Sequence, residues 1–246
     1  PLNVEIEASL TTRGGVTRRG NGQIDGRDRT PAGWDTCGPP ENKAGIRIPD
    51  AGDVDWTNCP TCIRGQPPIE EDPTIDDATF FQFGNLGWDG LIALANKTGF
   101  TLNTPDVAPS LTAGGECNTA DPNNWGDPLN RGAPCASYFP VIYAPGDLRL
   151  NTGAGQGVLI IEGDLHVQGT FEFYGIVIVQ GRLSTQGGGA GSIHFRGAVM
   201  AANVDLDDNE VAGNANIQYS RCVVEIAQMA AAMGTPLRSR GWVQGL

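Results

Sequence analysis

Cysteines are the residues most directly suited to chemistry in this 246-residue chain. Cys59-Pro-Thr-Cys62 has the two-residue spacing of a zinc knuckle or of a redox-active pair, and Cys37 would add a third thiolate. A fourth ligand is harder to find, because the chain has only two histidines. We therefore favour disulfide bonding over metal binding for these residues.

All six cysteines are candidates for disulfides: Cys37, Cys59, Cys62, Cys117, Cys135 and Cys222. Cys117 and Cys135 lie 18 residues apart in a stretch rich in Pro and Asn. A bridge between them would close that loop and stabilise it by roughly 3 kcal/mol. The even number then leaves Cys222 to pair with Cys37, Cys59 or Cys62. Such bridges indicate an oxidising compartment.

Acidic clusters are the candidates for cation binding. Asp205, Asp207 and Asp208 are weak calcium ligand candidates, and further acidic runs lie at 50–55 and 70–77. None of them matches the EF-hand loop or the glycine-rich nonapeptide calcium repeat. We interpret them as solvated turns and expect no resident metal and no cofactor.

Four polar residues recur at comparable positions of a repeated unit: Asp147, Asp164, Arg182 and His166. Hydrolases and lyases built on stacked sheets cluster carboxylates or a cation along one face in this way. Asp147 and Asp164 directly follow glycines, however, and this favours hydrogen bonds to neighbouring backbone amides. The chain also lacks a Gly-x-Ser-x-Gly elbow, so we expect no nucleophilic triad and no catalysis.

Tryptophans are the remaining candidates for a binding role. Trp34 and Trp242 are predicted to contact a partner protein or a sugar, because an indole ring combines a large apolar face with one polar N–H group. The other three tryptophans are expected in the small cores of a loop-rich region.

The repeated unit begins near Val141. Residues 157–169 align with residues 175–187, sharing both outer glycines, the central glycine, a leucine and a glutamine. An earlier copy starts at Gly146-Asp-Leu, 17 residues before Gly163-Asp-Leu. An apolar strand, a glycine corner and a second strand at a period near twenty residues predict the rungs of a β-solenoid, which bury their inward side chains by stacking.

Composition supports an all-β chain: 35 glycines, 17 prolines and 7% aromatic residues favour short strands and many turns. The formal charge of −12 opposes binding to nucleic acid or to an anionic membrane surface. No apolar run is long enough to cross a membrane. Pro1 is followed at once by a strand-like segment, so we expect that an anchor or signal segment preceded it.

The predicted fold is a short β-solenoid with a disulfide-rich loop insertion and a C-terminal capping helix. A short helix is expected near 88–97 within the insertion, and Ser220 is expected to begin the capping helix as its N-cap. Four segments follow from this division: N-terminal strands that join the solenoid (1–26), the disulfide-stapled insertion (27–137), the solenoid rungs (138–219), and the capping helix with its tail (220–246).

Several stretches are similar to one known family. They are Gly20-Asn-Gly-Gln-Ile-Asp-Gly26, Thr30-Pro-Ala-Gly-Trp34, Asn118-Thr-Ala-Asp-Pro-Asn-Asn-Trp-Gly-Asp-Pro128, Tyr143-Ala-Pro-Gly-Asp-Leu148, Phe171-Glu-Phe-Tyr-Gly175 and Ala201-Ala-Asn-Val-Asp-Leu206. In these stretches the chain resembles PilX-like type IV pilus assembly proteins of the bacterial cell envelope. The resemblance implies an envelope location and, in full-length relatives, an N-terminal membrane helix. It carries over no catalytic residue.

We therefore expect a non-enzymatic structural subunit in the periplasm or at the cell surface, with protein partners in a larger envelope assembly and a type IV pilus accessory role as the specific form. One alternative is an extrinsic periplasmic subunit that caps or clamps a respiratory or photosynthetic membrane complex. Another is a carbohydrate- or calcium-binding β-solenoid module.

Overall fold

The computed structural model describes residues 2, 4–55, 59, 61–96, 106–186, 192–203, 209–212 and 214–233. It is mostly β, with 41% strand and 12% helix. Fourteen of the described strands form one curled, parallel sheet, and two more form a small antiparallel hairpin. The all-β prediction is therefore confirmed at this level.

The strands are β1 (Ala8–Thr12), β2 (Val16–Arg18), β3 (Gln23–Asp25), β4 (Ala44–Ile48), β5 (Val54–Asp55), β6 (Ile63–Arg64), β7 (Ile69–Glu71), β8 (Gln82–Phe83), β9 (Leu86–Gly87), β10 (Val141–Ala144), β11 (Leu148–Ile161), β12 (Leu165–Val179), β13 (Leu183–Gln186), β14 (Ile193–Ala201), β15 (Asn209–Ala212) and β16 (Ala215–Tyr219). The helices are α1 (Asp77–Phe81), α2 (Trp88–Ile92) and α3 (Arg221–Met233), with a 3₁₀ turn at Ala51–Asp53.

The large sheet bends into three faces, each a stack of parallel strands. The first face stacks β10, the ends of β11, β12 and β14, then β1, β4 and β7. The second stacks the starts of β11 and β12, then β13, β15, β2 and β5. The third stacks the middles of β11 and β12, the start of β14, then β16, β3 and β6.

Side chains that point inward from all three faces meet in one core. Leu159 of the first face, Leu165 of the second and Phe173 of the third belong to the same buried cluster. Successive residues of a strand point to opposite sides of a sheet, so the alternate residues point outward. Burial of this shared interior is the main force that holds the stack together.

Stacked glycines allow the chain to turn from the third face to the first. Gly157, Gly175 and Gly197 pair with one another in register and have φ angles of +116°, +158° and +133°. A Cβ atom on Gly175 would lie 1.8 Å from the carbonyl oxygen of Gly157. Only glycine fits such a corner, and this explains the glycine that recurs in the repeated unit.

The N-terminal strands join the large sheet beyond the last C-terminal strands. Leu10 pairs with Val199 and Ile24 pairs with Ile217, so β1 and β3 lie against β14 and β16. The short strands β4 to β7 then extend the same sheet, within a segment that the sequence predicted as a loop-rich insertion. These strands were not predicted because they are short and are separated by turns.

The C-terminal helix was predicted to cap an end of the stack, and this placement is wrong. Val224 and Ala227 of α3 join a buried cluster with Ile160 and Ile178, on the outer side of the first face. The helix lies there because that row of the sheet is apolar on both sides. Ser220 precedes α3, but the Arg221 amide donates instead to a carboxylate oxygen of Asp28 at 2.9 Å.

A loop closes the β10 end of the stack. The Trp125 side chain is fully buried and packs edge-on against Phe173 at 6.5 Å, while its carbonyl accepts a hydrogen bond from the Gln156 amide. Val107 forms a parallel bridge with Gly153. The insertion thus does the covering that the sequence analysis assigned to α3. The helix expected near 88–97 is the shorter α2.

Candidate functional site

The outward row of the second face holds the polar side chains of the candidate site. Arg149, His166 and Ser184 are partners in register on three neighbouring strands. The residues that flank them in each strand, such as Leu165 and Val167, are buried in the shared core. The alternation of the strands therefore directs the three polar side chains to the outside.

These side chains line a groove of about 300 Å³. Its polar lining consists of Arg149, His166, Arg182, Ser184 and Gln186 together with Asp147 and Asp164. Arg149, Arg182 and Gln186 are exposed, whereas Ser184 is buried at the floor. The groove is therefore lined by guanidinium, carboxylate, imidazole, hydroxyl and amide groups.

His166 is held by two side chains. The Gln168 amide nitrogen lies 2.5 Å from Nε2 of His166, and Nδ1 of His166 lies 3.3 Å from the Ser184 hydroxyl oxygen. An amide nitrogen can only donate, so Nε2 accepts and Nδ1 carries the hydrogen that is donated to Ser184. In this arrangement Nδ1 of His166 carries a hydrogen and does not serve as a base for Ser184.

The corner aspartates have the structural role that their position after glycine predicts. Oδ1 of Asp147 accepts a hydrogen bond from the Asp164 amide at 2.9 Å, and Oδ1 of Asp164 accepts one from the Arg182 amide at 2.7 Å. Each carboxylate thereby links one layer of the stack to the next. In both aspartates this hydrogen bond uses the Oδ1 oxygen.

The groove holds charged side chains of both signs. Among the described residues, no carboxylate forms an ion pair with the guanidinium group of Arg149 or Arg182. Both groups are exposed on a protein of formal charge −12. Because Asp147 and Asp164 also line the groove, its arginines and aspartates are equal in number. Sequence reasoning did not find the groove because Arg149 and Arg182 are 33 positions apart in the chain.

Trp34, proposed from the sequence as a partner contact, is a buried residue. Only 8% of it is exposed, its ring stacks on Tyr174 at 5.5 Å, and its indole N–H donates to the Pro128 carbonyl. The Arg131 guanidinium lies over its other side at 4.2 Å. Trp34 therefore packs the third face and offers no free surface. Trp242 lies outside the described residues.

The third face also holds polar residues that the sequence analysis did not single out. The Tyr174 hydroxyl donates to Glu172 at 2.8 Å, and burial together with this carboxylate raises the pKa of Tyr174 to about 12. Burial lowers the pKa of His194, which pairs in register with Glu172. Glu172 and Tyr174 alternate with buried phenylalanines, and this pattern is the signal that would have found them.

The cysteines lie in three disulfides. They join Cys37 to Cys222, Cys59 to Cys62, and Cys117 to Cys135, with Cα–Cα distances of 5.1, 5.4 and 4.8 Å. The first ties α3 to the segment that follows β3, and the third closes the loop around Trp125. With every thiol in a disulfide, this state has no thiolate for a zinc knuckle. Cys59 and Cys62 border a cavity together with Arg18 and Arg19.

Asp205, Asp207 and Asp208 lie outside the described residues, so the calcium interpretation of that run stays a prediction. Within the described part of the chain, His, Cys, Asp and Glu side chains form no group of three or more that could hold a metal ion. Also within that part, no helix has the length and apolar character needed to cross a membrane.

Comparison of the chain with protein-family models, curated proteins and solved structures finds no match. The resemblance to PilX-like pilus assembly proteins therefore stays a prediction from the quoted motifs. The three faces of the sheet are therefore the basis on which a function is proposed.

Proposed function

We propose that this chain is a non-enzymatic structural subunit of a larger extracytoplasmic assembly, with a type IV pilus accessory role as the specific form. In this proposal the curled sheet is a short β-solenoid, and the second face is the docking surface. The proposal places the protein in the periplasm or at the cell surface.

One observation carries the proposal: the faces of the sheet are covered unequally. Helix α3 and the α1–α2 segment pack on the first face, and the stacked Trp34 ring packs on the third. The described helices bury their apolar side chains in these two places, while the second face lines an open polar groove. A scaffold that covers two faces and leaves a polar one accessible is suited to presenting that face to a partner.

The disulfides add support for the compartment. Three bridges in 246 residues are typical of proteins that fold in an oxidising environment and rare in the cytosol. Disulfide bonds also suit a module that must stay rigid while other subunits assemble on it.

The test is mass spectrometry of native-gel bands from a gently solubilised envelope fraction. Comigration with pilins and their assembly platform is the expected result. Comigration with a pigment- or haem-bearing complex would favour an extrinsic subunit that caps or clamps a membrane complex. A free monomer would contradict both roles.

A matched pair of variants tests the surface. Gln168→Arg with Gln186→Arg places two bulky cations on the second face, whereas Gln82→Arg makes the same kind of change at an exposed site near the first face. We expect the double variant to leave the assembly band and Gln82→Arg to remain in it. Retention of the double variant would contradict docking through the second face.

A second candidate function is a carbohydrate-binding module, and the groove at Arg149 and His166 is the observation that favours it. Such a module would be retained on a glycan column, and its melting temperature would rise with ligand concentration. A calcium-dependent rise in melting temperature would instead support the calcium-binding form.

A further inference from the structure

The bridge between Cys59 and Cys62 differs from the other two disulfides in its access, its loop and its neighbours. We propose that it is a thiol–disulfide exchange site, which is reduced by a dithiol of a partner protein and reoxidised by a partner disulfide. The inference goes beyond the proposed structural role, because it adds a redox function at a place outside the groove that Arg149 and His166 line.

Access is the first difference. Each of the other two bridges contains a buried cysteine, since Cys135 is 0% exposed and Cys222 is 4% exposed. Cys59 and Cys62 are both partly exposed and line a cavity of about 740 Å³. They lie between β5 and β6, the last described strands of the second and third faces. Exchange depends on access of an incoming thiolate to a disulfide sulfur, so this bridge is the most open of the three.

Loop size is the second difference. The two cysteines of this bridge are 3 positions apart in the chain, whereas those of the other bridges are 18 and 185 positions apart. A disulfide stabilises a fold mainly by restricting the unfolded chain, and a short loop restricts it least. The bridge therefore opens at the smallest cost to the fold.

Backbone hydrogen bonds hold the same turn without the disulfide. The Cys62 amide donates to the Cys59 carbonyl at 3.1 Å, and the Ile24 amide donates to the Cys62 carbonyl at 2.9 Å. Nε of Arg64 donates to the Thr61 carbonyl at 2.7 Å. These contacts keep the two cysteines close together after reduction, so the bridge can form again.

The neighbours of Cys59 favour a thiolate over a thiol. The Thr61 hydroxyl oxygen lies 3.9 Å from Sγ of Cys59, and it is the donor because a disulfide sulfur carries no hydrogen. Arg18 and Arg19 line the same cavity, and Asp55 is the one carboxylate among its described lining residues. Guanidinium groups near a cysteine stabilise its thiolate, which is both the leaving group and the nucleophile of the exchange.

The exchange proceeds in two displacement steps. A partner thiolate attacks Sγ of Cys59, the bond between Cys59 and Cys62 breaks, and Cys62 leaves as a thiolate that takes up a proton. The second partner thiol then loses its proton and attacks the partner sulfur of the mixed disulfide, and Cys59 leaves with its charge stabilised by Thr61. Two electrons and two protons thus pass from the partner dithiol to the two cysteines, and the partner becomes a disulfide. A partner disulfide restores the bridge by the same steps in reverse.

The first test is a redox titration of the full chain in mixtures of reduced and oxidised dithiothreitol. Free thiols are blocked with N-ethylmaleimide and located by mass spectrometry. We expect Cys59 and Cys62 to be half reduced at a ratio of reduced to oxidised reagent at least about tenfold lower than the other bridges require. We also expect full reoxidation when the ratio is reversed. Reduction of this bridge together with the others, or after them, would overturn the inference.

A protein dithiol distinguishes an exchange site from a bridge that only small reagents reach. One equivalent of reduced thioredoxin should reduce Cys59 and Cys62 and leave the other four cysteines oxidised. Reduction by dithiothreitol but not by thioredoxin would contradict exchange with a partner protein. Neither measurement uses the second-face groove or the assembly band, so failure here leaves the proposed function standing.

Two single-cysteine variants test the role assigned to each sulfur. Cys62→Ser leaves the Cys59 thiol beside Thr61, and Cys59→Ser leaves the Cys62 thiol. We expect the first variant to form a mixed disulfide with oxidised glutathione at least about tenfold faster than the second at neutral pH. Equal rates, or the opposite order, would count against Cys59 as the exchanging sulfur and overturn the inference.

The Thr61 side chain provides a matched pair of further variants, because it is exposed and its replacement leaves the core unchanged. In the Cys62→Ser background, Thr61→Val should slow mixed-disulfide formation at least about threefold, since it removes the hydrogen-bond donor. Thr61→Ser keeps the hydroxyl and should keep the rate. An equal rate in both would show that the hydroxyl does not stabilise the thiolate.

Discussion

The first and second faces of the sheet share one backbone geometry but present opposite outer surfaces. On the first face the outward row includes Ile160 and Ile178, which are fully buried under α3 and the N-terminal segment. On the second face the corresponding outward row holds Arg149, His166 and Ser184 and lines an open groove. The comparison shows that the inward residues hold the stacked strands together. The outward residues determine which other part of the chain packs on each face.

The largest loss of stability should come from a substitution on the first face, which α3 covers. Ile178→Ala removes a fully buried side chain between the sheet and α3, so we expect a loss of about 4 kcal/mol in the free energy of unfolding. Gln168→Ala on the open face should change it by less than about 0.5 kcal/mol. Urea denaturation of both variants checks this. Similar losses would mean that the two faces are equally covered in solution.

The third face extends the comparison, because a disulfide-closed loop covers it. The amide nitrogen of the Gln156 side chain donates to the carbonyls of Ala136 and Tyr138, next to the bridge between Cys117 and Cys135. Replacing both cysteines by serine should lower the free energy of unfolding by about 3 kcal/mol, since the unfolded loop gains entropy.

Reduction of the wild-type protein is not an adequate control, because it opens all three bridges. The double variant of Cys59 and Cys62 is a better one: it removes a bridge that closes only a four-residue turn and should cost less. If this control is destabilised more than the Cys117 and Cys135 variant, the loop does not support the third face as described.

A smaller effect is expected at the corners that separate the faces. Asp164→Ala deletes the oxygen that accepts the Arg182 amide, so we expect a loss of about 1 kcal/mol. Asp164→Asn keeps an acceptor oxygen and should recover most of it. Thermal unfolding of the pair distinguishes this hydrogen bond from a charge effect, which would be lost equally in both variants.

The smallest expected effect is a change in how the stability of the protein depends on pH. Burial on the third face lowers the pKa of His194 below its usual value near 6.5, so the unfolded chain takes up a proton there more readily than the folded one. Stability should therefore fall as the pH drops below about 6.5. His194→Gln should flatten this part of the curve of melting temperature against pH. An unchanged curve would show that His194 is not the group responsible.

Much of the repeated part of the chain was predictable from the sequence. The repeat aligns Gly157 with Gly175, and the structure pairs these residues. The position of Asp147 and Asp164 after glycine predicted their hydrogen bonds to backbone amides. These features depend on neighbours one layer away, so a period in the sequence is enough to reveal them.

The candidate site was predictable only in part. His166 and Arg182 were noticed from the repeat, but Arg149 and Ser184 were not, because only the strand register shows that they share a row with His166. Trp34 was assigned to a partner surface since its ring is large and apolar. Its burial depends on Tyr174, 140 positions away in the chain.

The sequence by itself determined the β-rich class, the period of the stack and its glycine corners, because these follow from short-range alternation and from the conformations that glycine alone adopts. Only the tertiary structure decided that β1 to β3 stack beyond β14 to β16, that α3 lies along the first face, and that the loop around Trp125 closes the β10 end. The physical reason is that an apolar outward row can be buried by any apolar helix or loop that reaches it. Which element arrives depends on contacts between distant parts of the chain, and these leave no period in the sequence.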